Sequence, residues 1–497
     1  MISRHSTLAA ALVSVLALAP AVAHAQAPTF SNYVGPTNLV ADAGEPSIGY
    51  NPKTGTTFFE SGLTTVKVGG FDGAGHATWT DVTEPTAITS LDPILWTDRD
   101  TGRTISSQLL LACSKAAITD DDGGTWLPSQ GCGLGTGIDH QTVGGGPFAG
   151  VLHGANPIYP NAIYYCTQLS IETSTCATSF DGGVTFGNAV PIYTADQCPL
   201  LLHGHVKVDL NGTAYVPTGD CDGHPAMAES TDNGLTWNVD EVTAGTTQDE
   251  SDPHLGIGDK GTLYLGYQGG DGADLGNKGY SSGNARSEGR AWITVKPAGS
   301  SQWRAPIDVG ASLGIKNIQF PEVFAGDDNR AAYAFLGTTT AGDDQAAGFK
   351  GAWHLYVSYT YDGGQTWNTV DATPTDPVQR GCIWLQGGSS AGNCRNLLDF
   401  NDITIDNNGR VMVAYADGCT GACVTANPAT YNYTAGRPAL GVIARQESGL
   451  GLYAAKDSLL RAAKPVKAKK FSKRIHAKPA KRAGDEGELR LSLAAQR

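Results

Sequence analysis

Carboxylate and imidazole side chains stand at the start of seven short segments that continue with the alternating pattern of β-strands. These candidate catalytic residues are Glu45, Asp92, Asp139 with His140, His205, Asp252 with His254, Glu322 and Asp402. Acids that are buried together must share protons, bind cations or face water, because an isolated buried charge is costly. Such clusters have shifted pKa values and can perform general acid–base catalysis. The alternative is structural, because an aspartate at a strand start often accepts hydrogen bonds from neighbouring amides and locks strands together.

Long glycine-rich loops hold a second set of candidates. They span residues 268–290, 338–350, 371–401 and 416–437. The candidate substrate-binding residues in these loops are Arg286, Arg290, Arg380, Trp384, Arg395 and Arg437. Arginine recognises carboxylates through a bidentate fork, and aromatic faces stack on sugar rings. In a chain otherwise poor in arginine this set favours an anionic glycan as ligand, and the alternative is that these residues only order the loops.

A repeated turn indicates which elements position these residues. The octapeptide at 119–126 reads Thr-Asp-Asp-Asp-Gly-Gly-Thr-Trp, and related octapeptides occupy 179–186, 230–237 and 360–367. We call these four segments the motif turns. Their Asp and hydroxyl side chains can bond the turn's own backbone, glycine permits positive φ, and the aromatic residue anchors the next strand. Four copies indicate a repeat architecture.

The motif turns resemble the Asp box of the Asp-box (BNR-repeat) β-propellers, a superfamily that includes sialidases, polysaccharide-degrading enzymes, receptors and assembly factors. The resemblance covers the chain to about residue 450. It implies that the motif turns join the third and fourth strands of a blade, on the face away from the active site. It also makes Tyr267 or Tyr415, beside Glu322 or Asp402, a candidate nucleophile. The sialidase first-blade Phe-Arg-Ile-Pro motif is absent, so a typical sialidase is not expected.

Seven inner-strand segments, each followed by an aromatic-rich second strand, predict an all-β, seven-bladed β-propeller with four-stranded antiparallel blades. Six blades are the alternative. Blades two, three, four and six carry the motif turns, blade one has a degenerate copy at Asp72-Gly73, and blade five keeps only Trp303. Residues 29–34 could supply the outer strand of blade seven and close the ring, which removes exposed sheet edges. The candidate catalytic residues would then surround the axial mouth opposite the motif turns.

The N-terminus and the cysteines predict export. Residues 1–25 have the pattern of a secretory signal, with Arg4, an apolar stretch over 8–19 and the cleavage site Ala23-His24-Ala25. We expect a secreted protein, periplasmic or extracellular, that starts at Gln26 and has no transmembrane segment. Its ten cysteines form five close pairs, which predict five local disulfides: Cys113/Cys132, Cys166/Cys176, Cys198/Cys221, Cys382/Cys394 and Cys419/Cys423.

Charge divides the chain into a propeller at 26–450 and a tail at 451–497. Residues 26–455 hold 20 basic and 44 acidic residues, so no nucleic-acid partner is expected. The tail is basic, rich in Pro and Ala, and predicted to be disordered. It could contact anionic polymers of the cell envelope.

No cofactor and no metal centre is predicted, because motifs with metal-ligand spacing are not recognisable in the sequence. A structural Ca²⁺ could be held by Asp271 and Asp274 or by the pair Asp343-Asp344. The segments 209–212 and 406–409 are interpreted as hairpin turns.

The sequence therefore predicts a secreted carbohydrate-active propeller that cleaves or binds a polysaccharide or glycoconjugate at its axial mouth. Cleavage would make it a glycoside hydrolase or a polysaccharide lyase. The alternative is a non-catalytic binding or scaffold propeller of the cell envelope or extracellular space, since one fold can serve both functions.

Overall fold

Seven antiparallel sheets form a ring of blades in the computed structural model. It describes residues 27–87, 92–110, 113–130, 139–170, 173–198, 203–221, 224–242, 251–270, 289–344, 346, 348–383, 394–427 and 439–458. Each inner strand contacts the inner strand of the next blade, and the last contacts the first. The protein is therefore a seven-bladed β-propeller, as predicted, and the six-bladed alternative is wrong.

The first strand along the chain, β1 (Thr29–Val34), belongs to the last blade. Blade 1 consists of β2 (Ser47–Asn51), β3 (Thr56–Ser61), β4 (Thr64–Gly69) and β5 (Thr78–Asp81). Blade 2 consists of β6 (Pro93–Thr97), β7 (Thr104–Leu110), β8 (Cys113–Thr119) and β9 (Leu127–Pro128). Blade 3 consists of β10 (Asp139–Pro147), β11 (Asn161–Ser170), β12 (Thr173–Ser179) and β13 (Val190–Thr194). Blade 4 consists of β14 (Lys207–Val208), β15 (Ala214–Cys221), β16 (His224–Ser230) and β17 (Asn238–Glu241).

Blade 5 consists of β18 (His254–Ile257), β19 (Leu263–Gly269), β20 (Arg290–Lys296) and β21 (Ile307–Asp308). Blade 6 consists of β22 (Asn317–Ala325), β23 (Ala331–Thr338), β24 (Ala352–Thr360) and β25 (Asn368–Asp371), with β26 (Gln379–Arg380) also paired to β24. Blade 7 consists of β27 (Asp402–Ile405), β28 (Val411–Asp417), β29 (Leu440–Ser448) and β1. Short 3₁₀ helices lie at Gly150–Leu152, Ala311–Leu313, Gly421–Cys423 and Ala454–Lys456. Among the described residues no helix is long and apolar enough to cross a membrane.

Pairing of β1 with β29 closes the ring, as predicted. The two strands are antiparallel, with Tyr33 opposite Ile443. Tyr33 is fully buried, and its hydroxyl donates to Glu447 at 2.7 Å and accepts from the Gly73 N–H at 2.9 Å. Its ring meets Phe71 edge-on, with centroids 4.8 Å apart. One side chain of the first strand thus ties blade 7 to blade 1.

The motif turns join the third and fourth strands of blades 2, 3, 4 and 6, and they satisfy their own backbone. In the turn at 119–126, Asp121 accepts from the Thr125 N–H at 2.7 Å and from the Thr125 hydroxyl at 2.9 Å. Thr119 Oγ1 accepts from the Gly123 N–H at 2.9 Å. The bonds from Thr125 hold the pKa of Asp121 below its usual value. The same bonds recur around Asp181, Asp232 and Asp362.

The segments 209–212 and 406–409 are hairpin turns, as interpreted from the sequence. Asp209 accepts from the N–H groups of Asn211 and Thr213 at 2.8 and 2.9 Å. Asp406 accepts from the N–H groups of Asn408 and Arg410 at 2.8 and 3.0 Å. These carboxylates therefore order their own turns.

Buried hydrophobic clusters lie between neighbouring blades and hold them face to face. The interface between blades 1 and 2 also buries a carboxyl group, Glu60, which is fully buried and accepts from Thr65 Oγ1 at 2.9 Å. Burial raises the pKa of Glu60 to about 8, so this carboxyl is protonated at neutral pH.

Four of the five predicted disulfides are present: Cys166–Cys176, Cys198–Cys221, Cys382–Cys394 and Cys419–Cys423. The fifth predicted pair, Cys113 and Cys132, falls on residues whose side chains lie outside the described part of the chain. Four disulfides in one chain indicate an oxidising, extracellular type of compartment.

The segment after β29 packs onto the propeller. Leu452 is fully buried, and Arg330 forms a bidentate ion pair with Asp457 at 2.8 and 2.9 Å. The predicted signal at 1–25 and tail residues 459–497 lie outside the described residues. The domain boundaries therefore remain predictions.

We expect Tyr33→Ala to lower the free energy of unfolding by about 3–5 kcal/mol, because it leaves a cavity and orphans two polar groups in the ring closure. Chemical denaturation measures this change. Val34 is the matched control, since it lies on the same strand and is 50% exposed. Val34→Ala should change stability by no more than about 0.5 kcal/mol. Equal effects of the two substitutions would contradict a stabilising role for the β1 closure.

Candidate functional site

The axial residues form two layers. We call the face where the inner strands begin the front face, and the face that carries the motif turns the back face. The upper layer consists of Glu45, Asp92, Asp139, His140, Asp252, Arg395 and Asp399. The lower layer, deeper along the inner strands, consists of His205, His254, Glu322 and Asp402. The nine acids and imidazoles predicted to meet at one mouth are thus brought together, but at two depths.

His140 organises the upper layer. Its backbone N–H lies 3.1 Å from a carboxyl oxygen of Asp92 and 3.1 Å from one of Asp139. Its Nδ1 lies 3.0 Å from Asp252 Oδ2. One residue therefore joins carboxyl groups from blades 2, 3 and 5. The Asp139 side chain is 49% exposed, whereas that of Asp252 is 13% exposed.

Burial and charge give the upper-layer groups different protonation states. Burial, together with repulsion from the neighbouring Asp139, raises the pKa of Asp92 to about 8. Burial also raises the pKa of Glu45 well above its ordinary value, with added repulsion from Asp92. Burial alone would lower the pKa of His140, but the carboxylate of Asp252 outweighs it and the pKa is raised well above its ordinary value. The layer thus combines neutral carboxyl groups with an imidazolium.

Arg395 is held beside Glu45 by an ion pair with Asp399. The pair is bidentate, with Nη2 and Oδ2 2.6 Å apart. The charge of Arg395 lowers the pKa of Glu45 and so opposes the effect of burial. Arg395 therefore reaches the predicted mouth, although Asp399 occupies its guanidinium fork.

Four of the six described non-glycine residues with left-handed backbone lie at the front face, and the other two, Asp122 and Asn233, lie in motif turns. Glu45, His140, Phe320 and Leu398 have φ angles of 54°, 51°, 58° and 59°. Such angles are costly for residues with a Cβ and persist where the surroundings enforce them, often at functional sites. Two of these residues lie at bulges, since β10 shifts register between Asp139 and Thr142 and β22 shifts between Gln319 and Glu322. Bulges re-aim side chains, and these two aim residues at the axis.

The lower layer is formed by four consecutive blades. His205 precedes β14, His254 begins β18, Glu322 lies within β22 and Asp402 begins β27. One donor atom from each of these four residues lies within 4.8 Å of the others. Their side chains are 2–11% exposed. Two imidazoles and two carboxyl groups are therefore packed around one point on the axis.

Asp402 is fixed by the backbone around it. One carboxyl oxygen accepts from the Ile48 N–H at 2.8 Å and from the Ser47 hydroxyl at 3.0 Å. The other accepts from the Ile403 N–H at 2.8 Å and lies 4.0 Å from His205 Nδ1. Burial raises the pKa of Asp402 to about 6, and the nearby Lys207 opposes that rise.

His254 and Glu322 are close together but not hydrogen-bonded. His254 Nε2 and Glu322 Oε2 lie 2.8 Å apart, within ion-pair distance. Neither atom has a hydrogen-bond partner, because the groups are not aligned. Burial raises the pKa of Glu322 and lowers that of His254, so attraction between full charges does not account for the contact.

A cavity of about 290 Å³ extends from the lower layer toward the back face. His205, Lys207 and Asp402 line its inner end, and Asp98 and Leu210 line its outer end. This cavity lies on the motif-turn side of the lower layer, whereas the sequence predicted the functional opening on the front face. Much of the predicted front-face loops lies at 271–288, 384–393 and 428–438, outside the described residues.

The tyrosines proposed as nucleophiles lie between blades. Tyr415 is buried, and its hydroxyl donates to Asn32 Oδ1 at 3.1 Å on the outermost strand of blade 7. That contact directs it away from the axial carboxyl of Asp402. Tyr267 is fully buried in the cluster between blades 4 and 5. Tyr415 therefore does not have the predicted place beside an axial carboxylate, and the role of Tyr267 stays a prediction.

The predicted substrate-binding arginines differ in their surroundings. Arg380 donates to the carbonyls of Cys423 and Val424 at 2.8 and 3.0 Å, so it orders a loop, which is the alternative stated above. Arg290 Nη1 donates to the Ile315 carbonyl at 3.2 Å. Arg286, Trp384 and Arg437 lie outside the described residues, as do Asp271 and Asp274.

Two axial residues were missed by the sequence analysis. Lys207 follows His205 by two positions, and side chains two apart on a strand share a face, so period two could have identified it. Asp399 lies four residues after Arg395, a spacing that offered only a weak indication of their ion pair. Of the acids suggested for Ca²⁺, Asp344 accepts instead from Gln319 Nε2 at 2.7 Å.

Fold and site together define a seven-bladed β-propeller with ionisable side chains packed along its axis. No protein-family model matches the chain, and a search of curated proteins found no match. Solved structures similar to it include a protein of unknown function from Dyadobacter fermentans, with 16% identity and a TM-score of 0.40 over 84% of this chain and 97% of that one. A lectin from Aleuria aurantia has 10% identity and a TM-score of 0.39, over 67% and 96%. A GH74 xyloglucanase from Xanthomonas campestris has 12% identity and a TM-score of 0.46, over 83% and 55%. Similarity at this level carries nothing about function.

We expect Asp92→Asn to become more stable relative to the wild type as pH rises. Folding raises the pKa of this carboxyl from about 4 to about 8. Its contribution to the stability of the folded state is therefore complete below about pH 4 and is lost as the pH rises through 8. Asparagine stays neutral throughout. Urea denaturation near pH 5 and near pH 8.5 should show a relative gain on the order of 1 kcal/mol or more. A wild-type advantage that grows with pH would contradict the assignment.

Proposed function

We propose that the protein is a secreted carbohydrate-active propeller whose upper layer binds or cleaves a glycan at the front mouth. One observation carries the proposal: the Asp92 carboxyl, with its pKa raised to about 8, lies beside the half-exposed side chain of Asp139. A buried carboxyl that keeps its proton, next to a second carboxyl that is open to solvent, is suited to general acid–base cleavage of a glycosidic bond. The strained backbone around them supports a functional role for this face.

Each group would have a distinct role in hydrolysis. Asp92 would donate its proton to the glycosidic oxygen as the bond from that oxygen to the anomeric carbon breaks. After the leaving group departs, Asp139 would take a proton from a water that adds to the anomeric carbon on the same face of the sugar, because both carboxyls lie 3.1 Å from one backbone nitrogen and are too close together to flank the ring. The His140 imidazolium, held by Asp252, would stabilise negative charge near the reacting sugar. Atoms and charge balance without any further reactant.

A non-catalytic binding or scaffold function is the second candidate, and a specific observation favours it. The ion pairs Arg395–Asp399 and His140–Asp252 neutralise charges within the mouth itself. Charges that are already paired in this way hold the blades together, and fewer charged groups then remain to bind a substrate. The protein would then bind a partner of the cell envelope or extracellular space without changing it.

Export is part of the proposal. The four disulfides support an oxidising compartment, and the signal pattern at 1–25 would direct the chain there. The basic residues of 459–497 would contact anionic envelope polymers after export.

Incubation of the purified mature protein with a panel of neutral and anionic polysaccharides tests the proposal. We expect new reducing ends, or unsaturated ends if the reaction is elimination, and loss of at least about 100-fold of that activity in Asp92→Asn and Asp139→Asn. Binding of a glycan without product would favour the second candidate.

Glu241→Gln serves as the control. Glu241 is an exposed acid on the outer strand of blade 4, so its substitution makes the same carboxyl-to-amide change far from the axis. It should keep full activity. The absence of both binding and product across the whole panel would reject the carbohydrate function. Equal losses of activity in all three variants would reject the assignment to the upper layer.

A further inference from the structure

The lower layer combines donor types that suit a transition-metal ion. Two imidazoles and two carboxyl groups are common ligands of Zn²⁺ and other first-row divalent ions. Donor atoms from all four residues lie within 4.8 Å of one another. Ligand atoms bound at about 2.0–2.2 Å to a tetrahedral ion lie roughly 3.3–3.6 Å apart, so the most widely separated of the four donor atoms would move about 1 Å closer on binding.

Two of these donor atoms are buried without hydrogen-bond partners. They are His254 Nε2 and Glu322 Oε2, on side chains that are 2% and 4% exposed. A buried polar atom without a partner costs free energy, and native structures contain few. Both atoms belong to the four-residue cluster and lie 2.8 Å apart. A bound cation would satisfy both atoms at once.

We propose that His205, His254, Glu322 and Asp402 bind one divalent first-row transition-metal ion, with Zn²⁺ the best match, on the axis of the propeller. The proposal does not depend on the carbohydrate function of the upper layer. Because the four ligands come from blades 4, 5, 6 and 7, the ion would cross-link four consecutive blades.

Neighbouring groups hold the ligands in orientations suited to binding. The Ile48 N–H and the Ser47 hydroxyl fix the Asp402 carboxylate. His254 Nδ1 lies 3.1 Å from the Val323 carbonyl. When Nδ1–H donates to that carbonyl, Nε2 presents its lone pair to the centre, which is the usual arrangement of a metal-bound histidine. The metal selects this tautomer over the one in which Nδ1 accepts from the Val323 N–H at 2.9 Å.

The charge balance favours a divalent cation. The carboxylates of Glu322 and Asp402 would neutralise its two charges. The positive charge of Lys207 acts against cation binding, because it interacts with both carboxyl groups. Among the described residues it has no direct ion pair with either of them, so it does not occupy the centre. The cavity lined by His205 and Asp402 offers the ion a route from the back face.

Metal titration of the full chain tests the proposal. The protein is stripped with a chelator, and Zn²⁺, Mn²⁺, Co²⁺, Ca²⁺ and Mg²⁺ are titrated separately by calorimetry and by thermal unfolding. We expect one Zn²⁺ per chain, a higher unfolding temperature with the ion, and visible absorption bands from Co²⁺ in the same site. No binding at millimolar concentrations, or a preference for Ca²⁺ or Mg²⁺, would overturn it.

Glu322→Gln and His205→Gln should each weaken binding by at least about 100-fold. Glu60→Gln is the matched control for the first, since it is also a buried glutamate and should leave binding unchanged. Circular dichroism and the unfolding temperature of the metal-free variants show whether they fold. Metal-free Glu322→Gln should unfold at or above the wild-type temperature, because it loses a buried carboxyl. Unchanged affinity in a folded Glu322→Gln or His205→Gln variant would refute the site.

Discussion

Convergence of seven inner strands on one axis is the constraint on which the rest of this structure depends. Strands that begin with acids or imidazoles bring those groups together where little water can reach them, and unpaired charge there is costly. The chain responds by pairing groups across blades. His140 of blade 3 reaches Asp252 of blade 5, and Asp402 of blade 7 accepts from the backbone of blade 1. The axial contacts therefore help to fix the order and spacing of the blades as well as the chemistry of the channel.

The polar groups on the two faces of the propeller find their hydrogen-bond partners in different places. On the back face the shared Asp of each motif turn is bonded within the turn, as Asp181 is to Ser179 and Thr185, and residues such as Asp122 add bonds to the neighbouring blade. On the front face the partners are distant in sequence, and the backbone is strained where they meet. Hydrogen bonds within each turn make the back face rigid and uniform. Hydrogen bonds between blades make the geometry of the front face depend on how all the blades are arranged. Small differences in blade packing will therefore change the front layer first.

Sequence patterns predicted the parts of this protein that depend on local interactions. The eight residues of a motif turn encode their own bonds, and seven inner strands and the closing strand follow from the alternating pattern that surrounds those turns. The depth of Glu322 could not be predicted, because it depends on a bulge at Phe320, whose N–H donates to Ser251 of the neighbouring blade. The same limit applies to Tyr415, whose direction is set by Asn32 nearly 400 residues earlier in the chain. Position along a strand gives the face that a residue occupies in the sheet, but not which distant group it meets.

The closing pair of strands has a consequence for how the protein folds. β1 is made before the other strands of the propeller and pairs with β29, and Thr29 meets Ser448 across 419 positions. The first strand must therefore wait, unpaired, until nearly the whole chain is available, and so much loop closure makes folding slow. The disulfides do not shorten that wait, because they span only 4 to 23 residues. Until closure, blade 7 has an open sheet edge that is prone to aggregate, so the last step of folding is the one at which a chaperone would have most to protect.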